Sequence, residues 1–226
     1  MNFNNKVYGI IKLFGLDVWI TDTLVSSWVI IFFLAIFALI VNIMLRNFKS
    51  IPKGFQNFIE LIVESIDKMT RNNMGDKYSF FGGWFFTVFA FLLCSNLSGL
   101  FCLRPPTADL STTLTFALTT FFLTHFMGIA SSGKNYFKAY IEPFPLLLPI
   151  NIIGEVATPV SLSFRLFGNI FGGLVIMGMV YNLLPFLLNL FVPGILHIYF
   201  DIFSGALQAF IFVILSMTFI KDKISD

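Results

Sequence analysis

Arg165 stands in the middle of Ser161–Gly173, S-L-S-F-R-L-F-G-N-I-F-G-G, a segment otherwise apolar enough for lipid. A charge at the centre of a bilayer costs from ~2.5 to more than ~10 kcal/mol, and it normally faces protein or a water-filled cavity and has a partner. Arginine stays protonated under physiological conditions, so it is a poor proton carrier and a good fixed charge. Glu155 lies ten residues earlier, ~15 Å along a helix axis, and Asn169 follows at i+4 on the arginine's own face. Further on, His197, Asp201, Ser204 and Gln208 follow one another at intervals of four, three and four, one polar stripe down an apolar helix. His197 reads equally well as a residue at the outer membrane surface. An interhelical salt bridge is the plain alternative for the whole set, but desolvation offsets the attraction in a buried ion pair. The chemistry these residues suit is the passage of a small cation past a fixed positive charge. Gly168 and Gly172 form a G-x-x-x-G pair beside Arg165, with Gly173 alongside. That spacing lets another helix approach closely; packing within the chain and clearance for a partner both fit.

Composition fixes the medium. Of 226 residues 57% are hydrophobic and 12% charged, and the mean hydropathy is +0.87. A soluble domain carries about 25% charged residues, so the chain reads as an all-α polytopic membrane protein. The net charge of +2 gives no electrostatic case for nucleic acid. Cys94 and Cys102 have no second pair at metal-ligand spacing and read as two apolar thiols. Residues 1–25 lack the clean apolar core of a signal peptide, because Asp17 and Asp22 interrupt it. They read as an uncleaved outer arm.

The elements that must position the polar set form a single membrane domain over 1–226. A first span is expected at 26–45, since about 20 apolar residues cross the hydrocarbon. At 51–73 Phe55, Phe58, Ile59, Ile62, Val63, Ile66 and Met69 recur at helical spacing, with Glu60, Glu64, Asp67, Lys68 and Arg71 opposite. This amphipathic helix fits the membrane surface or a packed position on another subunit; both stand. Spans at 80–101 and 111–130 follow, joined by a polar connection. The third span carries six threonines and His125; threonine hydroxyls bonding back to their own helix and a packed histidine are the plainer readings. Asn96, Asp109, Ser161 and Ser204 are further candidates to line a polar path.

Two overlong apolar segments end the chain, 150–184 and 193–220. The first is ~52 Å as helix against a ~30 Å core, so it must tilt, bend near Pro159 or start outside the core. With five crossings, Arg46, Lys49, Lys53, Lys68, Arg71, Lys77, Lys134, Lys138, Lys221 and Lys223 share one side, and Lys6, Lys12 and Arg104 the other. This puts the C-terminus in the cytoplasm and the N-terminus outside.

S-L-S-F-R-L-F-G-N at Ser161–Asn169, A-L-Q-A-F-I-F at Ala206–Phe212 and P-T-A-D-L-S-T-T at Pro106–Thr113 resemble subunit a of the bacterial F-type ATP synthase. The resemblance covers nearly the whole chain. It implies a non-catalytic stator in the bacterial cell (inner) membrane, facing a rotating ring of c subunits beside the b stalk, and requiring no cofactor or metal. Two half-channels would pass H⁺ or Na⁺ to and from the ring carboxylates. Arg165 matches the essential arginine, Asn169 its polar neighbour and Gln208 the glutamine of the last helix. Asp201 falls in the outer half-channel, with His197 nearby, and Glu155 would serve the cytoplasmic one. Gly168, Gly172 and Gly173 would give clearance to the ring. Leu174 departs from the family, where many members carry an ionisable residue. A stand-alone channel or secondary transporter is the rival, and the absence of repeated halves stands against it.

Overall fold

The computed structural model describes residues 7–13, 16–45, 53–101, 103–133, 136, 146, 148–189 and 191–224. Lys6, Arg46, Lys49, Cys102, Lys134 and Lys138 lie outside the described residues. Among the described residues five helices are long and apolar enough to cross a membrane, and the architecture is all-α apart from one N-terminal hairpin. That hairpin, β1 (Val7–Leu13) and β2 (Leu16–Thr21), pairs antiparallel with Ile10 opposite Trp19 and Lys12 opposite Asp17. The sequence reading had only an arm here. A lone two-stranded ribbon is marginal in water, and Tyr8 fastens this one by a hydrogen bond to Asp22 that raises the phenol's pKa.

The first span, α1 (Asp22–Leu45), is apolar on all sides and leans outward, with Phe32, Phe33 and Ile43 each at least 60% exposed. Helix α2 (Phe55–Met74) is the amphipathic one. Its buried residues Ile59, Ile66, Thr70 and Met74 turn inward, and Ile66 and Met74 join the core of this same chain. Phe55, Phe58 and Val63 of the same apolar face stay exposed, so this chain covers only part of it. A 3₁₀ turn, Asp76–Phe81, leads into α3 (Gly82–Leu97); Gly82 gives the passage, since a Cβ there would lie 2.9 Å from Asp67 Oδ1.

Asp109 caps α4 (Leu110–Ser132), accepting from the Ser111 backbone N–H at 3.2 Å and from the Thr23 hydroxyl at 3.2 Å. Helix α5 (Leu148–Leu183) is 36 residues long, ~54 Å, and keeps Pro159 in its interior. The short turn Phe186–Asn189 leads to α6 (Val192–His197), a π-helical segment Ile198–Ser204, and α7 (Gly205–Ile224).

Phe85, Leu92, Leu166, Phe212, Val213, Met217 and Ile220 fill the core among α3, α4, α5 and α7. In lipid such burial is held by packing and interhelical hydrogen bonds, because the surrounding tails are as apolar as the side chains. Thr113 meets Ser163 at 3.0 Å and Thr120 meets Ser216 at 3.4 Å. Thr113, Thr115, Thr119 and Thr124 donate to carbonyls of their own helix, so packing accounts for most of that threonine run.

Candidate functional site

Arg165 lies on an exposed face of α5 and has no hydrogen-bond or ion-pair partner among the described residues. Its neighbours along that face are small or open. A Cβ added at Gly168 or Gly172 would meet nothing within 4 Å. Gly173 is different: it is buried, and a Cβ there would fall 3.3 Å from Phe200 Cδ1. Gly173 therefore serves the contact between α5 and the π segment, and only Gly168 and Gly172 stay on the open face. The face belongs to α5 because Leu162, Ser163, Leu166 and Ile170 take the opposite side into the core.

Below Arg165, toward the start of α5, two cavities lie against each other. One, of about 250 Å³, is lined by Gly154, Ser161, Arg165 and Leu215. The other, of about 220 Å³, is lined by Thr120, Thr124, Glu155, Pro159, Asp222 and Lys223. Thr158, Leu162 and Phe219 form the wall common to both. Pro159 contributes here too: it has no N–H for the Glu155 carbonyl one turn back, which leaves an extra polar group beside the cavity. Lys223 forms an ion pair with Glu155 Oε1, and His125 Nε2 is 3.8 Å from Glu155 Oε2. His125 is also bonded through Nδ1 to the Tyr136 hydroxyl and stands edge-on to Phe121. It is an interhelical residue.

Above Arg165 the structure gathers a second polar set. Asn169 Oδ1 accepts from the Ser204 hydroxyl at 2.8 Å, and its amide donates to the Ser204 carbonyl at 3.3 Å. Asp201 sits mid-way along the π-helical segment. Such widened turns are rare and are frequently found at functional sites. Asp201 Oδ2 is 2.5 Å from His197 Nδ1, and His197 Nε2 is 3.0 Å from the Tyr181 hydroxyl. A carboxylate only accepts, so in the neutral ring Nδ1 carries the proton and Nε2 accepts from the phenol. The result is a hydrogen-bonded file from exposed Tyr181 to Asp201, whose side chain is 17% exposed. Gly99 leaves room for the carboxylate, since a Cβ there would lie 3.4 Å from Asp201 Oδ2.

The remaining candidates divide. Gln208 is 6% exposed and its Nε2 has no hydrogen-bond partner within the chain as described. Ser161 is exposed on the arginine's side and lines its cavity. Asn96 is buried and spoken for: it accepts from Thr107 and donates to the Gly205 carbonyl, both at 2.8 Å. Asp109 is committed to its cap and to Thr23. Three participants were missed in the sequence. Lys223 was only one of the basic residues counted on the cytoplasmic side, and Tyr136 and Tyr181 gave no pattern, since their partners lie 11 and 16 residues away. The four-residue step from His197 to Asp201 was the one legible signal.

Five spans around an open-faced guanidinium, with acids reached from either end, define a membrane protein that handles small cations. The sequence matches the family described as "ATP synthase A chain" over residues 24–221. It is 36% identical over 224 residues to the sodium-ion-specific ATP synthase subunit a of Propionigenium modestum, covering 92% of this chain and 75% of that one. It is 39% identical over 181 residues to ATP synthase subunit a 2 of Syntrophotalea carbinolica, covering 78% and 75%. The chloroplastic subunit a of Stigeoclonium helveticum is 34% identical over 217 residues, covering 91% and 85%. The chain belongs to the ATP synthase A chain family, the ion-translocating stator subunits a of F-type ATP synthases.

Proposed function

We propose that Arg165 is the gate of this stator and that its missing partner is a succession of carboxylates on a rotating c-ring. The observation that carries this reading is the open face itself: a guanidinium on a transmembrane helix, exposed, with no partner among the described residues and with two glycines clear of any neighbour. A ring carboxylate beside a permanent cation is favoured in its charged form. It must give up its ion before passing and reloads only beyond the arginine, so ion flow requires rotation. Each elementary charge that crosses is driven by ~2.3 kcal/mol per 100 mV of membrane potential.

The two polar sets then serve the two sides. Glu155 and the paired cavities form the cytoplasmic half-channel, with Ser161 between the acid and the gate. Tyr181, His197, Asp201, Ser204, Asn169 and Gln208 form the outer one. The N-terminus lies outside and the C-terminus in the cytoplasm, on the balance of basic residues. The c-ring and the b stalk are the partners, the subunit performs no catalysis of its own, and the cargo is H⁺ or Na⁺.

Replacing Arg165 by alanine in the assembled complex tests the gate. Ion-driven ATP synthesis is expected to vanish while the complex still assembles; normal synthesis would remove the mechanism.

A further inference from the structure

Glu155 does not stand open in its cavity. Lys223, in the last turn of α7, reaches across to Oε1, and the two side chains are 26% and 25% exposed. Tyr136 lies beneath the ammonium, with its ring centroid 5.9 Å from Nζ, and its hydroxyl is bonded to His125. Gly128 makes the slot for that ring: a Cβ there would fall 2.5 Å from Tyr136 Cε2 and 3.2 Å from Lys223 Cβ. The lysine is therefore steered to the carboxylate by packing from α4 and by the tyrosine, unlike a free surface lysine. As a mere fastening the pair is poor, since desolvation offsets its attraction. It is also placed where a fastening has no need to be. Glu155, Lys223 and Asp222 line one cavity, and that cavity abuts the one lined by Arg165.

We propose that Lys223 is a tethered cation of the cytoplasmic path: its ammonium occupies Glu155 whenever no translocated ion does. This rests on the reading of Glu155 as the acid of that path. The ammonium is a compact charge on a flexible four-carbon stem with rotatable donors. It withdraws toward Asp222 as an ion reaches Glu155 and returns as the ion leaves, so the acid does not hold the ion it has just passed. Only ionic and hydrogen bonds change hands. The other groups facing the carboxylate are His125 from α4 and, through it, Tyr136. With methionine at 223 the carboxylate keeps only the His125 imidazole facing it, and it retains ions longer.

The test uses the whole ATP synthase in liposomes, driven by an imposed potential with gradients of H⁺ and Na⁺ directed toward the side that carries the catalytic head. Variants E155Q, K223M, K223R and E155Q/K223M are compared at matched subunit content. Synthesis is expected to fall about fivefold in E155Q and about threefold in K223M, the scale of a half-buried ion pair. The K223M deficit should widen as H⁺ or Na⁺ is raised on the side that faces the catalytic head. K223R should restore most of the rate, and E155Q/K223M should match E155Q, because the lysine acts through the acid. A K223M deficit independent of ion concentration, or one additive with E155Q, would overturn the proposal. Wild-type behaviour of K223M beside an impaired E155Q would remove the lysine alone. Wild-type behaviour of E155Q would remove the cytoplasmic acid and the lysine together.

Discussion

The two ends of the α5–α7 pair handle charge in opposite ways. At the Glu155 end, opposite full charges meet beside a roomy pair of cavities: Lys223 on the carboxylate, with the His125 imidazole 3.8 Å away and Asp222 in the same wall. At the Asp201 end, one carboxylate is held in a single hydrogen-bonded file: Tyr181, His197 and then Asp201, with Asn169 and Ser204 locked together nearby. The helix is also built differently. A proline breaks the ladder at one end, and a π-helical turn widens it at the other. The first end has a second acid, Asp222, in its cavity wall; for the second, the resemblance to subunit a implied an ionisable residue at 174, where this chain has leucine. Redundancy and room go together at one end, and a single ordered path marks the other.

The largest effect should come from the group between the ends. Arg165→Ala is expected to abolish ion-driven ATP synthesis, measured in vesicles carrying the assembled complex. Next comes the contrast itself. Asp201→Asn should slow synthesis about thirtyfold, against about fivefold for Glu155→Gln, since a lone buried charge removed from a hydrogen-bonded file has no substitute. Equal losses in the two variants would erase the asymmetry. Tyr181→Phe removes only the outermost hydrogen bond of the file, and about a threefold loss is expected. His197→Gln should exceed it, and the reverse order would show that ions enter elsewhere. The smallest effect on transport belongs to Asn96→Ala, which cuts the tie from α3 to Gly205. It should cost about 1–2 kcal/mol of stability, as interhelical hydrogen bonds in membranes do. A lowered midpoint of thermal inactivation with near-normal initial rates would place Asn96 in the scaffold; a rate loss without a stability loss would place it in the path.

Much of this was legible before any coordinates. An arginine amid apolar residues is too costly to be incidental, and spacings of four and three put Asn169, His197 and Asp201 on readable faces. The amphipathic period of α2 marked one apolar face but not what would cover it; Ile66 and Met74 meet this chain's own core, while Phe55, Phe58 and Val63 stay exposed. Asn96 and Asp109 looked like path residues because polarity in a span is ambiguous between lining and packing. Their hydrogen bonds to Thr107, Gly205, Ser111 and Thr23 give each a packing role that residue type alone does not show. Gly173 was read with its neighbours on the open face. One residue is about 100° around a helix, enough to turn it inward against Phe200.

Sequence by itself determined the medium, the number of crossings, the fixed charge and the acids at either end, because these follow from residue type and local period. The tertiary structure decided who meets whom. Tyr181 reaches His197 only because a turn folds α6 back onto α5. Lys223 reaches Glu155 only because the end of α7 lies beside the beginning of α5, 68 residues away in the chain. Arg165 is left open because the core claims the opposite side of its helix. Periodicity reports a face; only packing reports what covers it.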